Sequence, residues 1–227
     1  MTLHLTVAGS GEDLHVEPTR LIIAGYTARD QDAVARHIAE LAEIGVAPPA
    51  TVPMFYDLDP ALLTTDRVVE VPGGHTSGEV EPVLIRAWGH YYLAVGSDHT
   101  DRDLERTDIA ASKATCPKPI GTVVAQLPDD VDAFDIDQVA AASSVDGAAY
   151  QSGTLAELLR PADVLERLRA ALGDRFLPVD QDFVLFGGTT PLLGDEFVPG
   201  TRWTLSLRLP DGTELGHTYE TKQEENR

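Results

Sequence analysis

The strongest constraint on the fold is a hairpin in the middle of the chain. Two largely apolar runs, residues 79–86 and 90–97, flank the dipeptide Trp88-Gly89. A two-residue turn there pairs Ala87 with His90 and fixes the register, because a slip of one residue turns every side chain to the opposite face. Glu79 and Glu81 stand two apart, so in a strand they share a face. Asp98 then falls opposite Glu79, and cross-strand partners lie about 4.5–5.5 Å apart at Cβ. Like charges inside an apolar hairpin cost stability unless something neutralises them. Three converging carboxylates suit one hard cation, Mg²⁺ or Mn²⁺, with waters completing the shell. A solvated acidic face produces the same pattern.

The rest of the chain also reads mainly as strand. Leu3, Leu5 and Val7, a turn at Gly9-Ser10-Gly11, then Leu14 and Val16 predict a hairpin within residues 1–20. Residues 21–26 predict a short buried strand and 67–71 another. Val34, His37, Ile38, Leu41 and Ile44 recur at helical spacing over 30–44, with Asp30 as the first cap and Gly45 as the stop. A second helix is expected over 154–171, broken or kinked at Pro161. Residues 183–190 predict a strand entering a glycine turn, and 203–209 a strand that turns at Pro210-Asp211-Gly212. The tail 221–227 is expected to fray. No linker or repeat divides the chain. The fold class is therefore α+β and mainly β: one domain over 1–227, a curled sheet or distorted barrel with a few flanking helices.

Asp and Glu total 37 against 17 Lys and Arg, a formal net charge of −20. Such a surface repels phosphate backbones, so no nucleic-acid partner is expected. The basic residues include only three lysines, Lys113, Lys118 and Lys222. This composition suits a high-salt interior, where salt screens carboxylate repulsion; a GC-rich genome favouring Arg and Asp codons gives it equally. No apolar run approaches the roughly 20 residues of a membrane span. The start carries no signal-peptide pattern, and the lone Cys116 suits a reducing compartment. A cytoplasmic protein is expected.

Other residues carry weaker signals. His37 lies on the apolar side of its helix with Glu40 three residues on, so the two can touch; a core-edge histidine beside a surface glutamate is the plainer reading. Lys113, in IAASKATCPKP, reads alone as a surface lysine. His99 can ligate a metal or shape the turn after Asp98, and His75 is similar. Cys116 precedes a proline with no base nearby and reads as packing. The GGTTP turn at 187–191, with Gly188 inside it, can present backbone N–H groups to a carboxylate.

Taken in order, these segments resemble the fumarylacetoacetate hydrolase superfamily, and closely a short bacterial branch, the domain-of-unknown-function 2848 group. AGYTARDQDAVARHIAEL is similar to the family's glycine–tyrosine segment followed by His-x-x-Glu, matching His37 and Glu40 to the family dyad. VPMFY is similar to its Pro-x-x-Phe segment. Glu79-Val80-Glu81 matches the Glu-x-Glu metal motif. GSDHTDRDLE matches the stretch carrying the third ligand, Asp98. SKATCPKPIG matches Lys113 to the active-site lysine. FGGTTPLLG resembles the late substrate-contacting loop, which places Thr190 and Gly188 at the substrate, with Tyr26 from the first segment. The likeness spans about residues 21–209. Glu81 to Asp98 is shorter than is usual in the family, and ARDQDAVAR sets the helix further from Gly25-Tyr26.

The resemblance implies a mixed β-sandwich roll, one divalent ion per subunit and a homodimer. It implies a hydrolase that cleaves a carbon–carbon bond in a small keto acid or 1,3-dicarbonyl. A keto-acid decarboxylase or a hydratase/isomerase on the same site is the alternative, and a non-catalytic metal- and ligand-binding protein is the alternative of another class. In the hydrolytic reading Glu79, Glu81 and Asp98 hold the ion, Lys113 meets negative charge, Glu40 orients His37 as base, and Thr190 seats a carboxylate.

Overall fold

A computed structural model describes residues 1–43, 48–173, 181–194 and 196–224, except the side chains of His37 and Leu41. The chain begins with the hairpin β1 (Leu3–Val7) and β2 (Asp13–Val16), then β3 (Arg20–Gly25), helix α1 (Gln31–Glu43) and β4 (Met54–Leu58). Short strands follow: β5 (Leu63–Thr64), β6 (Val68–Val71) and β7 (Thr76–Ser77). The central hairpin is β8 (Val80–Ala87) and β9 (His90–Ser97). After it come β10 (Thr100–Asp101), α2 (Arg102–Glu105), α3 (Ile109–Thr115), β11 (Lys118–Pro119) and β12 (Val123–Gln126). The last part holds β13 (Ala140–Val145), β14 (Ala148–Thr154), α4 (Pro161–Leu172), β15 (Phe183–Phe186), β16 (Arg202–Arg208) and β17 (Glu214–Gln223).

One sheet has eight strands in the order β2-β1-β12-β9-β8-β15-β3-β4, and a second has five, β14-β13-β16-β17-β6. Side-chain alternation explains their packing. On β8, β9, β15 and β3, the set Leu84, Leu93, Val95, Phe183, Leu185 and Ile22 joins one core with Trp203, Leu205, Leu207 and Tyr219 of the smaller sheet and Val164, Leu165 and Leu168 of α4. The alternate set, Val83, Ile85, Ala94, Val184, Phe186 and Ile23, joins a second core with Leu3, Leu5 and Leu14 from one end of the large sheet and Tyr56 from the other. Residues from both ends meet in this cluster, so the sheet curls around it. Strand β8 is buried along its whole length because both of its faces are covered. The fold is the mainly-β, curled architecture expected.

The hairpin register is as expected: Ala87 pairs with His90 and Val80 with Ser97. Trp88 and Gly89 both take positive φ, 53° and 87°, which a type I′ turn requires. The Trp88 indole N–H donates to the His15 carbonyl at 3.1 Å, tying the hairpin tip to β2. Asp30 caps α1, accepting the Ala33 N–H at 2.9 Å; Gly45 lies outside the described residues.

Three expectations are corrected. No single helix spans 154–171: a 3-10 turn covers Leu155–Glu157 and α4 starts at Pro161. Proline lacks the N–H that the first helical position leaves unbonded, so Pro161 begins the helix and does not kink it. The tail does not fray from 221, because β17 runs to Gln223 alongside β6, pairing Glu220 with Val68 and Gln223 with Val71. The hairpin β13–β14, not expected from the sequence, turns at Asp146-Gly147 with φ of 50° and 85°. Among the described residues no helix is long and apolar enough to cross a membrane.

Candidate active site

Glu81 lies on β8 with the parity of Val83 and Ile85, so it faces the inside of the curl. Its cross-strand partner is Gly96, whose missing side chain matters: a Cβ there would stand 2.6 Å from Val83 and 2.7 Å from Phe186. Glu81 is buried and its Oε2 accepts the Gly188 N–H at 2.9 Å. Burial first, then the charge of Asp98, pushes its carboxyl well above the usual carboxylate range, against the pull of Lys113.

Asp98 follows β9 directly and is also buried. Lys113, from α3, donates to its Oδ2, and Lys118, from β11, stands 3.0 Å from its Oδ1. Burial pushes the Asp98 carboxyl up, but Lys113 and then Lys118 outweigh it and hold it well below the ordinary value. Asp98 in turn raises Lys113 above the usual lysine value despite burial, while burial and the Lys113 charge lower Lys118.

Glu79 is less buried, and its Oε2 accepts from Arg102 at 2.9 Å. The Arg102 guanidinium also donates to Ser77 Oγ and Glu105 Oε2, each at 2.7 Å, and its centre lies 3.6 Å from the centroid of the Phe197 ring. As they stand, no three His, Cys, Asp or Glu side chains among the described residues are grouped to hold a metal ion. The charges of Asp98 and, less strongly, Glu79 both bear on Glu81, and Glu79 is also paired with Arg102. The donor set nonetheless fits a hard divalent ion: carboxylate oxygens, one of them on a buried group whose charged form a nearby cation would stabilise.

Around this group stand two tyrosines. Lys113 Nζ is 5.7 Å from the centroid of the Tyr56 ring, and the Tyr56 hydroxyl is pushed up to about 12 by burial. Tyr26, in the left-handed region at φ 60°, is close enough for Lys113 to act on its hydroxyl. Gln151 organises the late loop. Its Oε1 accepts from Val80 N and Ser143 Oγ, and its Nε2 donates to Thr189 Oγ1 and to the Thr190 carbonyl. Thr190 is buried, and its Oγ1 has no hydrogen-bond partner among the described residues.

Gly188 has φ 95°, and a Cβ on it would fall 1.8 Å from Thr27 Oγ1. Gly188→Ala is therefore expected to destabilise the protein by at least about 1–3 kcal/mol and to pull the N–H away from Glu81. Urea denaturation checks this; an unchanged midpoint would contradict it.

The other expected residues divide as follows. His37 has its backbone in α1, and its side chain lies outside the described residues. Glu40 is exposed on the same helix. His99 does not point at Asp98: its Nδ1 and Nε2 pair with Tyr219 Oη and Thr76 Oγ1, each at 2.9 Å, and burial lowers its pKa to about 3. It shapes the turn. His75 is exposed and pairs with Asp103. Cys116 is buried, its thiol pushed up to about 12, in keeping with packing. Sequence reasoning missed Arg102, Lys118 and Gln151. The first two had a signal in the DHTDRD stretch and in two of three lysines falling five residues apart; Gln151 had none.

The family model described as protein of unknown function DUF2848 matches residues 24–219. No curated protein sequence matches the chain. Among solved structures, a fumarylpyruvate hydrolase from Pseudomonas aeruginosa, in complex with Mn²⁺ and pyruvate, has a TM-score of 0.64 at 19% identity, covering 98% of this chain and 97% of that one. A 5-carboxymethyl-2-hydroxymuconate delta-isomerase from Mycobacterium smegmatis has a TM-score of 0.54 at 15% identity, covering 92% and 80%. The yeast protein ynq8, a fumarylacetoacetate hydrolase family protein, has 0.62 at 14%, covering 92% and 95%. The curled sheet with its carboxylate-bearing hairpin is the fold of these fumarylacetoacetate hydrolase family structures, and with a family model matched over most of its length the chain belongs to the DUF2848 family.

Proposed function

We propose that the protein is a divalent-metal-dependent hydrolase that cleaves a carbon–carbon bond in a small keto acid or 1,3-dicarbonyl, working as a cytoplasmic homodimer. The observation that carries this reading is the buried pair Glu81 and Asp98 beside Lys113, next to a loop whose buried Thr190 hydroxyl has no partner among the described residues. The Mn²⁺ and pyruvate in the Pseudomonas structure support the same class of chemistry.

Glu79, Glu81 and Asp98 would hold Mg²⁺ or Mn²⁺, which when bound supplies Lewis acidity toward two substrate oxygens. Lys113 meets the negative charge that develops as the carbon–carbon bond breaks. Thr190 Oγ1 donates to a substrate carboxylate, and Tyr26 borders the same space. His37, oriented by Glu40, takes a proton from the water whose oxygen attacks the carbonyl carbon. The same imidazole can return that proton to the departing carbon.

A metal-supplemented screen of keto acids, with products identified by mass, tests the reading. On the substrate it reveals, His37→Ala is expected to lower kcat by at least about two orders of magnitude, since a positioned base contributes 10²–10⁴-fold, with metal binding intact. Nearly full kcat in the variant would remove the hydrolytic assignment and favour decarboxylation, which needs no water nucleophile.

A further inference from the structure

Two of the chain's three lysines converge on one carboxylate, and they do so differently. Lys113 comes from α3 and keeps company with the site: the Tyr56 ring, Tyr26 and the charges of Glu79 and Glu105. Lys118 comes from behind. It sits on β11, which pairs in parallel with β5, and Ile120, just past the end of β11, bridges to Gly96 of β9. No part of the Lys118 side chain is exposed. Its Nζ spans two acceptors, Asp98 Oδ1 at 3.0 Å and the His99 carbonyl at 2.5 Å.

The ring of His99 is pinned in turn by Tyr219 and Thr76, and Tyr219 Oη also meets Ser97 Oγ at 2.8 Å. Lys118 therefore closes a rigid bracket around residues 97–99. An ammonium group suits this place better than a hydroxyl. Each oxygen of this buried carboxylate faces an ammonium donor, and a buried carboxylate needs charge as well as a hydrogen bond. With Lys118 fixed on Oδ1, that charge no longer has to come from Lys113 alone.

We infer that Lys118 is a positioning residue: it grips Asp98 Oδ1 and the His99 carbonyl together, sets the plane of the Asp98 carboxylate, and leaves Oδ2 and Lys113 for the chemistry. This rests on the reading of Asp98 as a metal ligand. The division of labour is between a sealed lysine that holds and a site-facing lysine that acts.

Mn²⁺ titration calorimetry on the full chain, without substrate, tests the inference. Lys118→Met is expected to bind Mn²⁺ about 10–100-fold more weakly, the usual cost of losing an outer-shell partner, and Lys118→Arg to recover most of that loss. Removing a mere nearby positive charge would do the opposite and tighten binding. Unchanged or tighter binding in a folded Lys118→Met protein therefore overturns the inference. A wild type that binds no Mn²⁺ overturns the metal reading itself. A second measurement needs no variant: brief acetylation of the wild type, read by peptide mass mapping. Lys118 is expected to stay unmodified while exposed Lys222 reacts and Lys113 follows more slowly. Lys118 reacting ahead of Lys113 would show it to be the mobile partner and overturn the assignment.

Discussion

Asp98→Asn is expected to cost about 3–5 kcal/mol of stability, because removing one side of a buried ion pair leaves the other uncompensated. Here two ammonium groups, Lys113 and Lys118, lose their shared carboxylate inside the fold. For a chain of this length that corresponds to a melting temperature lower by roughly 6–20 °C. Scanning calorimetry reads it, and a drop of under about 2 °C would show that the lysines find other partners. The pH dependence carries the same sign. Asp98 is held below its unfolded value, so the folded chain binds fewer protons there than the unfolded one. Its contribution is fully present above the unfolded carboxylate value of about 3.9 and is lost as the pH falls below it.

Glu81→Gln is expected to act in the opposite direction on stability and more severely on metal. The Glu81 carboxyl is raised by burial, so the folded state binds more protons than the unfolded state above the ordinary carboxylate value. Stability is therefore lost as pH rises through that range. Glutamine is neutral, keeps an oxygen for the Gly188 N–H, and removes this slope. The metal-free variant should melt a few degrees higher than wild type at pH 7. Its Mn²⁺ affinity should fall by more than the roughly 10–100-fold typical of an outer-shell partner, since a ligand is lost. A lower melting temperature with unchanged Mn²⁺ affinity would mean that Glu81 is a structural acid alone. The pair of variants thus separates two carboxylates that a sequence motif treats as equals: one stabilises the fold, and the other is kept at a cost.

The central hairpin was legible because a two-residue turn leaves one register, and Trp88-Gly89 supplied it. Glu81 and Asp98 followed from that register. Their counter-ions did not, because Lys113, Lys118 and Arg102 reach the site from α3, β11 and α2, and no local period encodes such meetings. The place of Lys113 came from resemblance. The β13–β14 hairpin escaped notice because AAASSV and AAYQSGT are poor in β-branched and large aliphatic residues, although Asp146-Gly147 between them is a strong turn signal. The tail is polar enough to suggest fraying, yet its backbone finds the edge strand β6, a pairing that residues 152 positions apart in sequence cannot announce. Pro161 suggests a breaker in sequence but is a helix start in the fold, a distinction that depends on whether the preceding residues are already helical.

The most direct measurement is anomalous diffraction at the manganese edge from crystals grown with Mn²⁺. One strong peak per chain is expected among the carboxylates of Glu79, Glu81 and Asp98, with Lys118 still on Asp98 Oδ1. A peak elsewhere, or none at these carboxylates at saturating Mn²⁺, would contradict this assignment.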